Sequence, residues 1–185
     1  MTRFRESVRS LLREQVLDAA YRVVAAEGWG GLRMTAIARA AGISRQTLYN
    51  EFGSKDAIGN ALVRRELDGF LRGIQRELDA HRGELEAAAA AGVGYTLQQA
   101  ADNPLIKGVL VAERGGEGAL LASTAMVDAY AIETWPDVDE ESRRLAVETI
   151  LRLTVSHIVR PVASPEESAR RIARITARTA YPGGC

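Results

Sequence analysis

Apolar positions recur along this chain at helical spacing almost from end to end. Leu12, Val16, Ala20, Val23 and Val24 share a stripe and predict a first amphipathic helix over about residues 7–27, ended by the Gly-Trp-Gly-Gly run at 28–31. A short helix is expected from Met34 to Ala41, stopping at Gly42. Ser44 is placed to cap a third helix over about 45–52, which Gly53 closes, and Ser54 to cap a fourth that reaches about Arg82. Asp56 sits in the first turn of that fourth helix, where a carboxylate complements the helix dipole. Gly59, Gly69 and Gly73 each weaken it by about 1 kcal/mol relative to Ala, so the pattern defines its start better than its end.

Beyond Gly83 the pattern gives a helix over about 84–101, a short one from Asn103-Pro104 to Glu113, and another over about 117–135. Asn103 is a capping residue, and Pro104 suits the first helical position because it has no N–H to leave unpaired. The helix expected at 139–159 carries Leu145, Val147, Ile150, Leu151, Leu153, Val155, Ile158 and Val159 around most of its circumference, which implies burial on more than one side. The last helix opens with Ser164-Pro165-Glu166-Glu167. Ser164 is the expected cap and Glu167 the residue that returns the bond in a capping box. Glu166 with Arg170, and Glu167 with Arg171, stand one turn apart in the favourable order. No run of alternating β-branched residues interrupts this series, and no repeat or low-complexity linker appears. The chain reads as all-α.

With 46% hydrophobic and 26% charged residues in 185, the composition is that of a globular protein rather than a disordered one. A formal net charge of zero conceals an asymmetry: residues 1–65 carry 11 Lys/Arg against 6 Asp/Glu, and the remainder 13 against 18. A basic head on an acidic body suggests that the head meets a polyanion. One Cys and two His exclude a zinc-type cluster, and no metal or cofactor is expected. Cys185 follows two glycines and reads as a bystander. Without a signal peptide or a long apolar run, a cytoplasmic protein with no membrane partner is expected.

Residues 34–52 have the spacing of two short helices joined by a glycine-containing turn, the helix-turn-helix arrangement whose second helix enters the DNA major groove. Met34, Ile37, Ala38, Ala41, Ile43, Leu48 and Phe52 supply its buried side. Arg45, Gln46, Thr47, Tyr49 and Asn50 are left outside, and their guanidinium, amide and hydroxyl groups suit base edges and phosphates. Lys55, beside the free N–H groups of the next helix, suits a phosphate. Each residue also has a plainer reading: Tyr49 as a half-packed aromatic, Lys55 as a solvated cation. Arg3, Arg5, Arg9 and Arg13 form either a phosphate-contacting arm or a solvated helix start.

The segment MTAIARAAGISRQTLYNEFGSKDAI resembles the DNA-binding segment of the tetracycline-repressor (TetR) family. The resemblance rests on Ile37-Ala38, Ala41-Gly42-Ile43-Ser44, Thr47-Leu48-Tyr49, Phe52 and Lys55. It implies a homodimeric repressor of about nine helices, with a three-helix DNA-binding domain over 1–53 and an effector-binding and dimerisation domain over 54–185. By position, Arg45, Gln46, Thr47 and Asn50 would face bases of double-stranded DNA, while Thr35, Tyr49 and Lys55 hold the backbone and Ser44 joins the same interface. Two positions depart from the family pattern. Arg33 replaces a capping Ser or Thr, and Asn50-Glu51 replaces an aromatic-His pair, so Glu51 would repel phosphates unless Arg45 or another cation neutralises it.

In the body, the resemblance places Tyr95, Leu110, Met126, Tyr130, Trp135 and His157 around a cavity for a small-molecule effector; alternatively, they are ordinary core. It likewise implies a dimer interface from the last two helices, with Leu145, Ile150, Leu153, Ile158, Ile172, Ile175 and Thr176. Glu113, Glu117, Asp128 and Glu133 would either make the pocket acidic or face solvent. Ser156 and His157, adjacent in sequence, point about 100° apart on a helix with no acid to orient the imidazole, so no catalytic role is assigned. Two expectations remain: a repressor released from a palindromic operator by an effector, or a regulator controlled by a protein partner or without an effector. An enzyme with a vestigial head finds no catalytic constellation.

Overall fold

The computed structural model describes residues 2–111 and 116–182, with side chains over 5–111 and 121–182. Among the described residues there are nine α-helices and no strand. They are α1 (Thr2–Glu27), α2 (Met34–Ala41), α3 (Arg45–Phe52), α4 (Lys55–Ala80), α5 (Leu85–Asp102), α6 (Pro104–Leu110), α7 (Gly116–Thr134), α8 (Glu140–Val159) and α9 (Pro165–Ala180), with a 3-10 turn at Trp29–Gly31. The side chains of Arg3, Glu113 and Glu117, and all of Cys185, lie outside the described residues.

The chain divides into two compact units, Met1–Glu66 and Leu67–Cys185. The division falls within α4 rather than at its start, because the first turns of α4 belong to the head. Ile58 and Leu62 are fully buried. Arg65 donates to Asp18 at 2.8 Å and Glu14 at 3.3 Å, both on α1. Val16, Ala19, Ala20, Ile37 and Leu48 complete a core with no exposed area.

In the second unit, α5 and α9 are the most closely packed pair. The Ala-rich run of α5 explains this: Ala88, Ala89, Gly92 and Val93 are buried, and side chains that small let the neighbouring backbone approach. One core cluster gathers Phe70, Ile74, Leu78, Ala88, Ile106 and Tyr130; a second gathers Val93, Leu97, Ala100, Ile158, Ala169 and Ile172.

The helix ends follow the expected capping chemistry, with one departure. Ser54 Oγ accepts the Ala57 N–H at 3.1 Å, and Asn103 Oδ1 accepts those of Leu105 and Ile106 at 3.1 and 3.3 Å. Ser164 Oγ accepts the Glu167 N–H at 3.3 Å, but the Glu167 carboxylate pairs with Arg171 instead of returning the bond. The favourable pair one turn along the helix competes for the same carboxylate and takes it. α6 ends at Leu110, short of the expected Glu113.

Candidate nucleic-acid interface and body cavities

In the head, Gly42 joins α2 to α3 at φ +68°, a left-handed conformation that Gly adopts without strain. Its N–H returns to Ala38 and Arg39, closing α2, and the chain turns into α3. Ser44 Oγ accepts the Thr47 N–H at 3.0 Å and lies 2.9 Å from Thr47 Oγ1, so Ser44 is the cap of α3. Arg33 precedes α2 and makes no capping bond.

With Leu48 and Phe52 buried, α3 turns Arg45, Gln46, Tyr49 and Asn50 to solvent, with Thr47 half-buried. Tyr49 is 50% exposed, which for so large an apolar ring leaves its face and hydroxyl open to a partner. Gln46 Nε2 donates to Asn50 Oδ1 at 3.0 Å, holding two amides side by side with a free carbonyl on one and a free NH2 on the other. Thr35, Arg45 and Lys55 are exposed, and neither Arg45 nor Lys55 has an ion pair among the described residues.

Glu51 is neutralised from α1, not by Arg45. Arg9 Nε lies 2.8 Å from its carboxylate; Arg13 reaches the same carboxylate at 4.0 Å and donates to the Glu51 carbonyl at 2.9 Å. The Arg13 guanidinium also covers the Phe52 ring at 4.3 Å. Arg13 is therefore neither a free arm nor an idle solvated side chain: it ties α1 to the end of α3. Gln15 and Arg22 do the same for α2, donating to the Ala41 and Ala40 carbonyls at 2.7 and 3.3 Å. The sequence signal for these bonds is weak, since it lies only in the rule that the last carbonyls of a helix need donors.

In the second unit, five of the six expected pocket residues come together. Tyr95, Leu110, Met126 and Trp135 pack with Tyr130 on the cluster around Phe70 and Ile74. Tyr95 stacks on Phe70 with centroids 6.0 Å apart, and Trp135 meets Tyr130 edge-on at 5.8 Å. His157 does not join them. It is half-buried, 2.8 Å through Nδ1 from the Leu153 carbonyl, and lines a separate surface depression with Leu97, Lys107 and Pro161. Asp128 is taken up by Arg143 at 2.9 Å, and Glu133 by Arg82, so neither is a free pocket acid.

Two cavities open beside this cluster, of about 60 and about 70 Å3. They share Leu78, Ala89, Val127 and Ile150. The smaller continues toward Leu85, Trp135 and Val138, the larger toward Phe70, Thr96, Ser123 and Ile158. Ser123 Oγ and Trp135 Nε1 are buried without a hydrogen-bond partner. Burial pushes the Tyr130 phenol up, so it remains a neutral donor.

The expected dimer residues divide. Ile158, Ile172 and Thr176 are buried in the core of their own unit, Thr176 returning its hydroxyl to the Ile172 carbonyl at 2.9 Å. Ile150 lines both cavities and Leu153 is half-buried against the core. Ile158, Ile172 and Thr176 thus expose almost no surface, while Ile150 and Leu153 keep part of theirs. Leu145 and Ile175 are exposed, as are Val159 and Val162. Among the described residues no group of His, Cys, Asp and Glu is placed to hold a metal, and no helix is long and apolar enough to cross a membrane.

Comparison with known proteins agrees with this geometry. Residues 16–62 match the N-terminal model of bacterial regulatory proteins of the tetR family, and residues 84–178 match the C-terminal domain model of the bacterial tetracycline repressor. The HTH-type transcriptional regulator AlkX of Mycobacterium tuberculosis (strain ATCC 25618 / H37Rv) is 28% identical over 183 residues, covering 93% of this chain and 86% of the relative. Among solved structures, the TetR family repressor AlkX from Dietzia sp. strain DQ12-45-1b, implicated in biodegradation of n-alkanes, superposes with a TM-score of 0.66 at 25% identity. That match covers 92% of this chain and 95% of the other. The fatty acid degradation regulator FadR from Bacillus halodurans shares the fold, with a TM-score of 0.64 at 18% identity over 89% of this chain and 93% of its own.

Proposed function

This chain belongs to the tetR family of bacterial regulatory proteins, and from that premise we propose that it is a homodimeric repressor released from a palindromic operator when a small molecule enters its body. The observation that carries the DNA-binding part is the outward set Arg45, Gln46, Tyr49 and Asn50 on a helix whose other side is packed, followed by exposed Lys55, which has no ion pair among the described residues. Arg45 and the Gln46–Asn50 pair have the donors and acceptors to read base edges; Tyr49, Thr35 and Lys55 hold phosphates and Ser44 fixes the start of α3.

A two-fold dimer presents two copies of α3, which matches a palindrome read in successive major grooves. Leu145 and Ile175, apolar and exposed on α8 and α9, are the dimer contacts. A protein that binds the bacterial chromosome works in the cytoplasm. The likeness to a repressor implicated in n-alkane biodegradation supports regulated genes of aliphatic metabolism.

Release is a population shift: effector in the body favours a spacing of the heads that no longer fits two grooves, with α4 as the segment common to both units. By linkage, operator binding lowers effector affinity by the same factor. The test is a binding titration of the whole protein on DNA flanking its own gene across a salt series. A salt-dependent shift on one short palindrome, lost in Tyr49→Ala and Lys55→Ala, is expected. Equal, weak binding to every sequence would refute the reading.

A further inference from the structure

His157 stands apart from the aromatic cluster of the body, and the depression it lines has a chemistry of its own. That space measures about 190 Å3. One water needs only about 10–15 Å3, and pockets for drug-sized ligands run to roughly 300–1,000 Å3, so this one suits a small organic molecule. It forms where the end of α5, α6, the last turn of α8 and the start of α9 come together. Of the linings of the two cavities described above, it shares only Ile158.

Every polar side chain in its wall can donate a hydrogen bond. Lys107 is exposed, with no ion pair among the described residues. His157 gives its Nδ1–H to the Leu153 carbonyl at 2.8 Å, which leaves Nε2 free and, in the protonated ring, a donor. Ser168 is 2% exposed, and its hydroxyl makes no hydrogen bond among the described residues. Unlike Ser123 Oγ, it is not sealed inside the protein. No Asp or Glu is in the lining. The N–H groups at the start of α9 take no part, because those of Glu167 and Ser168 already bond to Ser164.

The rest of the wall is apolar, Leu97, Ala100, Ile158 and Pro161 included. A phosphate would set several of its oxygens against these carbons, and polar groups desolvated without partners are costly. A single carboxylate on a short chain matches both halves of the wall, charge to the donors and carbon to carbon. We propose that this depression binds a short-chain aliphatic monocarboxylate, its carboxylate on Lys107, His157 and Ser168 and its chain on Leu97, Ile158 and Pro161. The site does not depend on the effector reading above.

The chain has two histidines, His81 and His157, so the ring NMR signals of the full-length protein report on this site with an internal control. His81→Gln assigns them. The protein is titrated at fixed pH with butyrate, 1-butanol and inorganic phosphate. Butyrate is expected to shift the His157 signals saturably and to leave those of His81 in place. It should bind at least tenfold more tightly than either other probe. Lys107→Gln, at an exposed position, should fold as the parent does and weaken butyrate about tenfold, the size of one hydrogen bond to a charged group. Ser168→Ala should weaken it about fivefold, as loss of one donor does.

Phosphate binding as tightly as butyrate would overturn the proposal, leaving an adventitious anion patch only. 1-Butanol matching butyrate would do the same, since the cations would then recognise nothing. So would unchanged butyrate affinity in Lys107→Gln, or His81 and His157 shifting together, the mark of a bulk effect. Absence of a His157 shift with every probe refutes the site outright. None of these outcomes bears on operator binding, which the DNA titration reads separately.

Discussion

Arg9 and Glu51 are 42 positions apart in sequence and 2.8 Å apart in the fold, so the only carboxylate of α3 is answered from α1. The pair decides whether a negative charge beside the reading surface stays bare. It also occupies a cation that phosphate would otherwise attract.

Replacing Glu51 with Gln frees Arg9 and removes the carboxylate. Operator affinity is expected to rise several-fold at low salt, with the slope of log K against log salt steeper by about one for one more phosphate contact. Stability should change little, because exposed ion pairs are worth about 0–1 kcal/mol. Fluorescence anisotropy over a salt series checks this; a fall in affinity would mean that the pair matters for placing α3.

Lys55 and Arg45 are expected to behave differently when truncated. Lys55→Ala should weaken binding to all sequences alike and lower the salt slope by about one, as a phosphate contact does. Arg45→Ala should instead relax the preference at one base pair in each half-site, by about 1–3 kcal/mol of discrimination. Competition assays with single-base operator variants separate the two.

Gly73 lies against Tyr95: a Cβ added there would fall inside Tyr95 Oη and Cζ. Gly73→Ala must therefore push the Tyr95 ring off its stack on Phe70, at a cost of about 1–3 kcal/mol for overpacking. Tyr95→Phe should not rescue it, because the ring carbon is as obstructive as the hydroxyl, whereas Tyr95→Ala should recover part of the loss. Thermal melts of the single and double variants test the pair, and additivity would refute it.

Asp139 caps α8, and its carboxyl is held below its ordinary value because it accepts the Ser142 N–H. A carboxyl whose folded pKa is depressed contributes stability above its unfolded pKa, near 3.9, and loses it as pH falls through the folded value. Asp139→Asn, which keeps a capping side chain without the charge, should be less stable than the parent at neutral pH. The difference should close below about pH 4. Melting temperatures from pH 2 to 7 check the sign.

What the sequence determined by itself was whatever depends on near neighbours. Ser44, Gly42 and the apolar spacing of Met34, Ile37, Leu48 and Phe52 act within a few residues, so the helix-turn-helix and its outward residues were legible before any coordinates. The caps at Ser54, Asn103 and Ser164 are local for the same reason. Tertiary structure decided wherever a local pattern admitted several outcomes. α8 is apolar around most of its circumference, so its period could not say that Ile158 turns inward while Leu145 and Val159 stay outside. His157 shares a helix with cavity-lining Ile150 and Thr154, yet its rotation about the axis sends it to another face. The partners of Glu51 and the walls shared by the two cavities depend on segments far apart in the chain. Only packing brings such segments together, because a side chain's periodicity fixes its face on a helix but not the neighbour that face will meet.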